Sequence, residues 1–89
     1  MIEIYTSRHC PYCQSAKRLL VCKAVQFREI DIAANAEKLD EMVSRSGGQS
    51  MVPQIFINGQ HIGDNRSLEK LNRTGQLDRM LNPSFSTTS

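Results

Sequence analysis

The chain has 89 residues, 39% hydrophobic, 22% charged and 6% aromatic, with no Trp and a formal charge of +2. That length accommodates one small domain with a thin core, and no apolar run approaches the roughly 20 residues needed to cross a bilayer. A charge of +2 is too weak for nucleic-acid binding by the chain as a whole.

The charge is unevenly spread. Residues 1–28 carry Arg8, Lys17, Arg18, Lys23 and Arg28 against Glu3 alone, a net of +4. A field of that sign favours anionic ligands and thiolates, although it is also what a solvated basic helix face would give. The opening residues Met1-Ile2-Glu3-Ile4-Tyr5 lack the basic start and apolar middle of a signal peptide, so the expected location is the cytoplasm.

In chain order, residues 1–6 alternate with Ile2, Ile4 and Thr6 on one face, which predicts a first strand. Pro11 suits the first turn of a helix, where its missing N–H is no loss. Cys13, Ala16, Leu19, Leu20 and Lys23 then recur at helical spacing, predicting a helix over 11–23. Val25, Phe27, Ile30 and Ile32 suggest a second strand. Asn35 is a candidate cap for a second helix carrying Ala36, Leu39, Met42 and Val43 and ending near Gly47-Gly48. Asn58-Gly59 lies between the β-rich runs 51–57 and 60–63, the pattern of a tight hairpin. Leu68, Leu71, Leu77, Met80 and Leu81 imply one or two short C-terminal helices broken at Thr74-Gly75. The predicted order is β-α-β-α-β-β-α, a four-stranded mixed α/β sheet with helices on both faces. A single domain over residues 1–82 and a loose tail over 83–89 are expected.

Cys10-Pro11-Tyr12-Cys13 falls where the first strand turns into the first helix. Ligands of open α/β sheets favour that carboxyl edge. Two sulfurs three positions apart at a helix start are close enough to bridge. Cys10 at the cap meets exposed N–H groups and the positive end of the helix dipole, both of which favour a thiolate. Cys13, one turn in, faces the core. This asymmetry makes Cys10 the nucleophile on a disulfide and Cys13 the group that resolves the mixed disulfide. A zinc site would want four ligands, and Cys22, His9 and His61 supply no second paired motif. Pro53 reads either as the mark of a strand edge or as a cis proline that leaves the Val52 backbone free for an extended peptide. Cys22 reads as a packing residue or inert thiol, His61 as solvent-facing, and Met42 and Met80 as core, whereas Met51 adjoins Val52.

Four elements in order resemble a family. Ile4-Tyr5-Thr6 leading into Cys10-Pro11-Tyr12-Cys13, Val52-Pro53-Gln54-Ile55-Phe56-Ile57, Gly59-Gln60-His61-Ile62-Gly63, and Leu68, Leu71, Gly75 and Leu77 are similar to the short bacterial dithiol glutaredoxins. The resemblance implies a thioredoxin fold, a cis Pro53, and glutathione as co-substrate with no bound cofactor and no metal. It implies reduction of protein disulfides and protein–glutathione mixed disulfides; a monomer without nucleic acid or membrane as partner is expected. It also implies that Cys10, Tyr12 and the backbone of Val52 border glutathione; Arg8, Met51, Pro53, Asn65 and Arg66 are the further candidate contacts.

The chain departs from that pattern in three places. Ser7 stands where the family usually has a Lys, with Arg8 beside it to supply the charge. Gln49 stands where many members have Arg. The family's Gly-Gly-Cys-Asp-Asp run reads Gly63-Asp64-Asn65-Arg66-Ser67, so Arg66 and Ser67 replace the acidic pair that holds the ligand's amino group. That loss keeps in view a glutaredoxin-like redoxin reduced by thioredoxin reductase; a second alternative, a dimer holding a [2Fe–2S] cluster through Cys10 and glutathione, has Pro11 and Tyr12 against it.

Overall fold

The computed structural model describes residues 1–81. Its elements are β1 (Ile2–Thr6), α1 (Pro11–Cys22), β2 (Phe27–Asp31), α2 (Ala36–Arg45), β3 (Gln54–Ile57), β4 (Gln60–Gly63), α3 (Asn65–Arg73) and α4 (Gln76–Leu81). The expected order therefore holds, with the C-terminal helical region split in two at Thr74-Gly75. The end of the expected domain at 82 and the expected tail over 83–89 lie outside the described residues.

Strand order across the sheet is β2-β1-β3-β4. β1 runs parallel to β2 and antiparallel to β3, and β3 and β4 form the hairpin. Asn58 (φ 51°) and Gly59 (φ 83°) both take the left-handed backbone that the tight turn demands, which Asn and Gly tolerate best. β3 begins at Gln54 and not at 51, as the sequence pattern suggested. Pro53 has no N–H to give to a ladder, and pairing with β1 opens at Tyr5 and Gln54. β2 likewise begins at Phe27, because residues 24 and 25 are used in leaving α1. Ala24 is left-handed (φ 57°), and the Val25 N–H donates back to the Leu20 carbonyl at 3.5 Å.

Alternation along the strands divides the core between the two faces of the sheet. Ile2 and Ile4 of β1 and Ile55 and Ile57 of β3 meet Ala16 and Leu20 of α1, Leu68 of α3 and Leu77 of α4. Tyr5, Phe56 and Ile30 meet Met42 of α2 on the opposite face. Each fully buried Ile, Leu or Phe contributes about 1.5–3 kcal/mol by leaving water, so most of the apolar stabilisation lies under α1 and α3. Among the described residues no helix is long and apolar enough to cross a membrane.

α2 buries Met42, packs Leu39 against the same core, and adds polar contacts. Arg45 donates to Glu3 at 2.8 Å and to the Tyr5 hydroxyl at 2.8 Å, and its guanidinium lies 4.2 Å from the centre of the Phe56 ring. The Tyr5 hydroxyl in turn donates to Glu41. The hydrogen bond from Arg45 holds the Glu3 carboxyl below its ordinary value of 4.5. The bond from Tyr5 lowers Glu41, and that from Lys17 lowers Glu29. A depressed carboxylate stabilises the fold at pH values above its unfolded pKa, and that stability is lost as pH falls through the folded value. Urea midpoints should therefore drop steadily below about pH 4.5, and Glu3→Gln should flatten that drop relative to the parent chain. Parallel pH profiles for the two proteins would show that the Glu3–Arg45 pair does not contribute.

Candidate active site

The site starts from the way α1 begins. β1 ends at Thr6, the chain turns through a left-handed His9 (φ 57°), and Cys10 becomes the N-cap of α1 with extended backbone. Pro11 follows at the first helical position. The Cys10 carbonyl accepts the first helical bond from the Gln14 N–H at 3.1 Å, and its Sγ accepts the Cys13 N–H at 3.1 Å. This is the place of a serine or aspartate oxygen at an ordinary helix start, occupied here by sulfur.

Cys10 and Cys13 are joined in a disulfide, with Cα atoms 5.2 Å apart. The two environments differ. Cys13 is 1% exposed beneath the first turn of α1, whereas Cys10 is half-buried at the surface.

Beside them runs a cleft of about 340 Å³. Tyr12, 64% exposed, forms one wall. Met51, Val52 and Pro53, with Gln49 and Gln54, and Asp64, Asn65 and Arg66 at the start of α3 complete the lining. The Val52–Pro53 peptide bond is cis, as the resemblance implied. The Val52 carbonyl oxygen lies 4.0 Å from Cys10 Sγ, which puts the sulfur at the edge of the cleft. The α2–β3 loop is shaped by buried Ser46, whose hydroxyl accepts the Gln49 N–H and donates to the Gln49 carbonyl, both at 3.1 Å.

Of the residues singled out by the sequence, Tyr12, Met51, Val52, Pro53, Asn65 and Arg66 line this cleft beside the dithiol. Arg8 does not. It is exposed on the turn before Cys10 and is absent from the lining. Asp64 lies in the cleft but is committed elsewhere: as the N-cap of α3 its carboxylate accepts the Ser67 N–H at 3.1 Å. His61 is not solvent-facing as expected. It is half-buried, stacked 5.0 Å from Phe56, with Nε2 2.6 Å from Gln54 Oε1. Gln54 was not foreseen as a lining residue. Its signal was its place one residue after Pro53, on the face of β3 that carries Phe56. Cys22 is an exposed free thiol at the far end of α1. Among the described residues no cluster of three or more His, Cys, Asp or Glu side chains is placed to hold a metal ion.

The glutaredoxin family model matches residues 2–62. Glutaredoxin 3 of Escherichia coli (strain K12) is 51% identical over 80 residues, covering 90% of this chain and 95% of that protein. The chain belongs to the glutaredoxin family. Glutaredoxin 1 of Rickettsia conorii is 40% identical over 89 residues, covering 99% of this chain and 87% of its own length. The solution structure of a glutaredoxin from Brucella melitensis superposes with a TM-score of 0.78 at 45% identity, covering 90% of this chain and 86% of that one. A buckwheat glutaredoxin–glutathione complex superposes with a TM-score of 0.83 at 26% identity, covering 92% and 76%. The fold is the thioredoxin fold, and this glutaredoxin is a glutathione-dependent thiol–disulfide oxidoreductase.

Proposed function

We propose that Cys10 is the nucleophile and Cys13 the resolving thiol in the reduction of protein disulfides and protein–glutathione mixed disulfides by a cytoplasmic, monomeric enzyme. The observation that carries this reading is the Cys10 sulfur in the N-cap position, accepting the Cys13 N–H at 3.1 Å at the edge of an open cleft. A thiolate at that position keeps this hydrogen bond and gains from the positive end of α1. Buried Cys13 has no such access to substrate.

The reduced enzyme attacks one sulfur of a substrate disulfide through the Cys10 thiolate. An S–S bond forms to Cys10, the substrate S–S bond breaks, and the other half leaves as a thiolate that takes a proton from water. Cys13 then gives up its proton and attacks Cys10 Sγ, forming the intramolecular disulfide and releasing the second substrate thiolate. Two glutathione molecules restore the dithiol. The first attacks Cys10 Sγ and frees Cys13. The second attacks the glutathione sulfur bound to Cys10, leaving oxidised glutathione and the Cys10 thiolate.

The buckwheat glutaredoxin–glutathione complex supports glutathione as a ligand, and the cleft lining suits it with its backbone against Val52 and a carboxylate at Arg66. One oxygen of the Asp64 carboxylate is engaged by Ser67, so the ligand's ammonium group meets a single acid already tied to the α3 cap where the family has an acidic pair. Charge-assisted hydrogen bonds contribute about 1.5–3 kcal/mol. Loss of one such bond at the ammonium would weaken glutathione binding by about tenfold or more.

Cys10→Ser should abolish turnover of both substrate classes. Cys13→Ser should retain reduction of glutathione mixed disulfides, which needs one thiol, and lose reduction of protein disulfides. Equal loss in both variants, measured by glutathione-coupled turnover, would reverse the assignment of roles. Arg66→Ala should raise the KM for glutathione about tenfold with little change in kcat, as expected for loss of one charge-assisted contact at an exposed site. An unchanged KM would remove Arg66 from the ligand site.

A further inference from the structure

Gln54 opens β3, and its side chain is almost wholly buried at 3% exposure. Its amide has two ends, and each has a partner. Nε2 donates to the Met51 carbonyl at 2.9 Å, while Oε1 lies 2.6 Å from His61 Nε2. A carbonyl only accepts, so the nitrogen end of the amide must face Met51 and the oxygen end must face His61. An amide oxygen also only accepts, so His61 Nε2 must carry the hydrogen. The chain therefore has one direction: His61 donates to Gln54, and Gln54 donates to Met51.

Both ends of this chain are anchored. The His61 ring stacks on Phe56 at 5.0 Å with a 35° tilt, opposite it in the β3–β4 register. Phe56 is itself packed against the Arg45 guanidinium at 4.2 Å and the Tyr5 ring at 5.6 Å. At the other end, Met51 precedes Val52, whose carbonyl lies 4.0 Å from Cys10 Sγ. His61 itself lies outside the lining of the cleft.

We propose that His61 is a positioning residue for thiol–disulfide exchange, its Nε2–H acting through Gln54 to hold the Met51–Val52 segment against the dithiol. The consequence for catalysis rests on the reading that this segment receives the peptide backbone of glutathione. His61→Phe keeps an aromatic ring on Phe56 and removes the donor. His61→Gln loses the ring and returns an N–H donor.

The test compares both variants with the parent chain in glutathione-driven reduction of a glutathionylated cysteine peptide. In parallel, the backbone 15N order parameter of Val52 is followed by NMR on the oxidised protein. His61→Phe should raise the KM for the peptide about 2- to 10-fold, the effect of one net hydrogen bond, with kcat within about twofold. The Val52 order parameter should fall, and His61→Gln should recover most of both effects. Unchanged KM and an unchanged Val52 order parameter in His61→Phe would overturn the proposal. So would an equal rise in KM in both variants that only follows their loss of thermal stability. If the parent chain itself fails to reduce the glutathionylated peptide, the glutathione reading falls. The Val52 order parameter then decides alone: lower in His61→Phe and restored in His61→Gln supports the relay, and no difference overturns it.

Discussion

The sulfur of Cys10 occupies a position that a helix normally gives to a hydroxyl or carboxylate oxygen. It caps α1 by accepting the Cys13 N–H at 3.1 Å, and the rest of the site follows from that one contact. A group that receives N–H bonds at a helix start is favoured as an anion, which is what a thiol needs in order to attack a disulfide. The same geometry sets Cys13 one turn inward, beneath the helix surface at 1% exposure. One short motif thus provides two thiols of opposite character.

A cap is only as well placed as its helix. α1 is pinned to the sheet by Ala16 and Leu20, which pack with Ile2, Ile4, Ile55 and Ile57, so the larger core determines where Cys10 sits above β1. The facing wall of the cleft is built differently. It leans on the smaller core under α2, where Arg45 ties Glu3, Tyr5 and Phe56 together. Apolar burial fixes the nucleophile, and a mixture of stacking and charged hydrogen bonds fixes the loop that faces it. A polar arrangement of that kind depends on every partner being satisfied, and no buried side-chain nitrogen or oxygen among the described residues lacks one.

The parts of this architecture that local rules control were legible in the residues. Asn35 caps α2, accepting the Glu37 N–H at 2.9 Å, Asn58-Gly59 turns the hairpin, and Pro11 opens α1 one residue after the capping sulfur. The strand limits near Val25 and Met51 were not legible. There, chain reversal at Ala24 and the missing N–H of Pro53 outweigh a pattern of apolar residues. Side chains that meet through space were harder still. His61 lies on an edge strand and reads as solvent-facing until β3 is laid beside it, when Phe56 and Gln54 prove to share its face. Arg8 shows the converse: it is two positions from the nucleophile in sequence, yet it lies outside the cleft. Asp64 belongs to the cleft in space and to the α3 cap in bonding, a commitment that spacing alone does not reveal.

The capped sulfur is tested most directly by the pH dependence of alkylation of reduced Cys10 by iodoacetamide, with Cys13 and Cys22 replaced by Ser. An unperturbed cysteine would follow a titration near pH 8.5. The account predicts that Cys10 reacts along a curve displaced to clearly lower pH, because the helix start and the Cys13 N–H stabilise its thiolate. A curve centred on the ordinary cysteine value would contradict it.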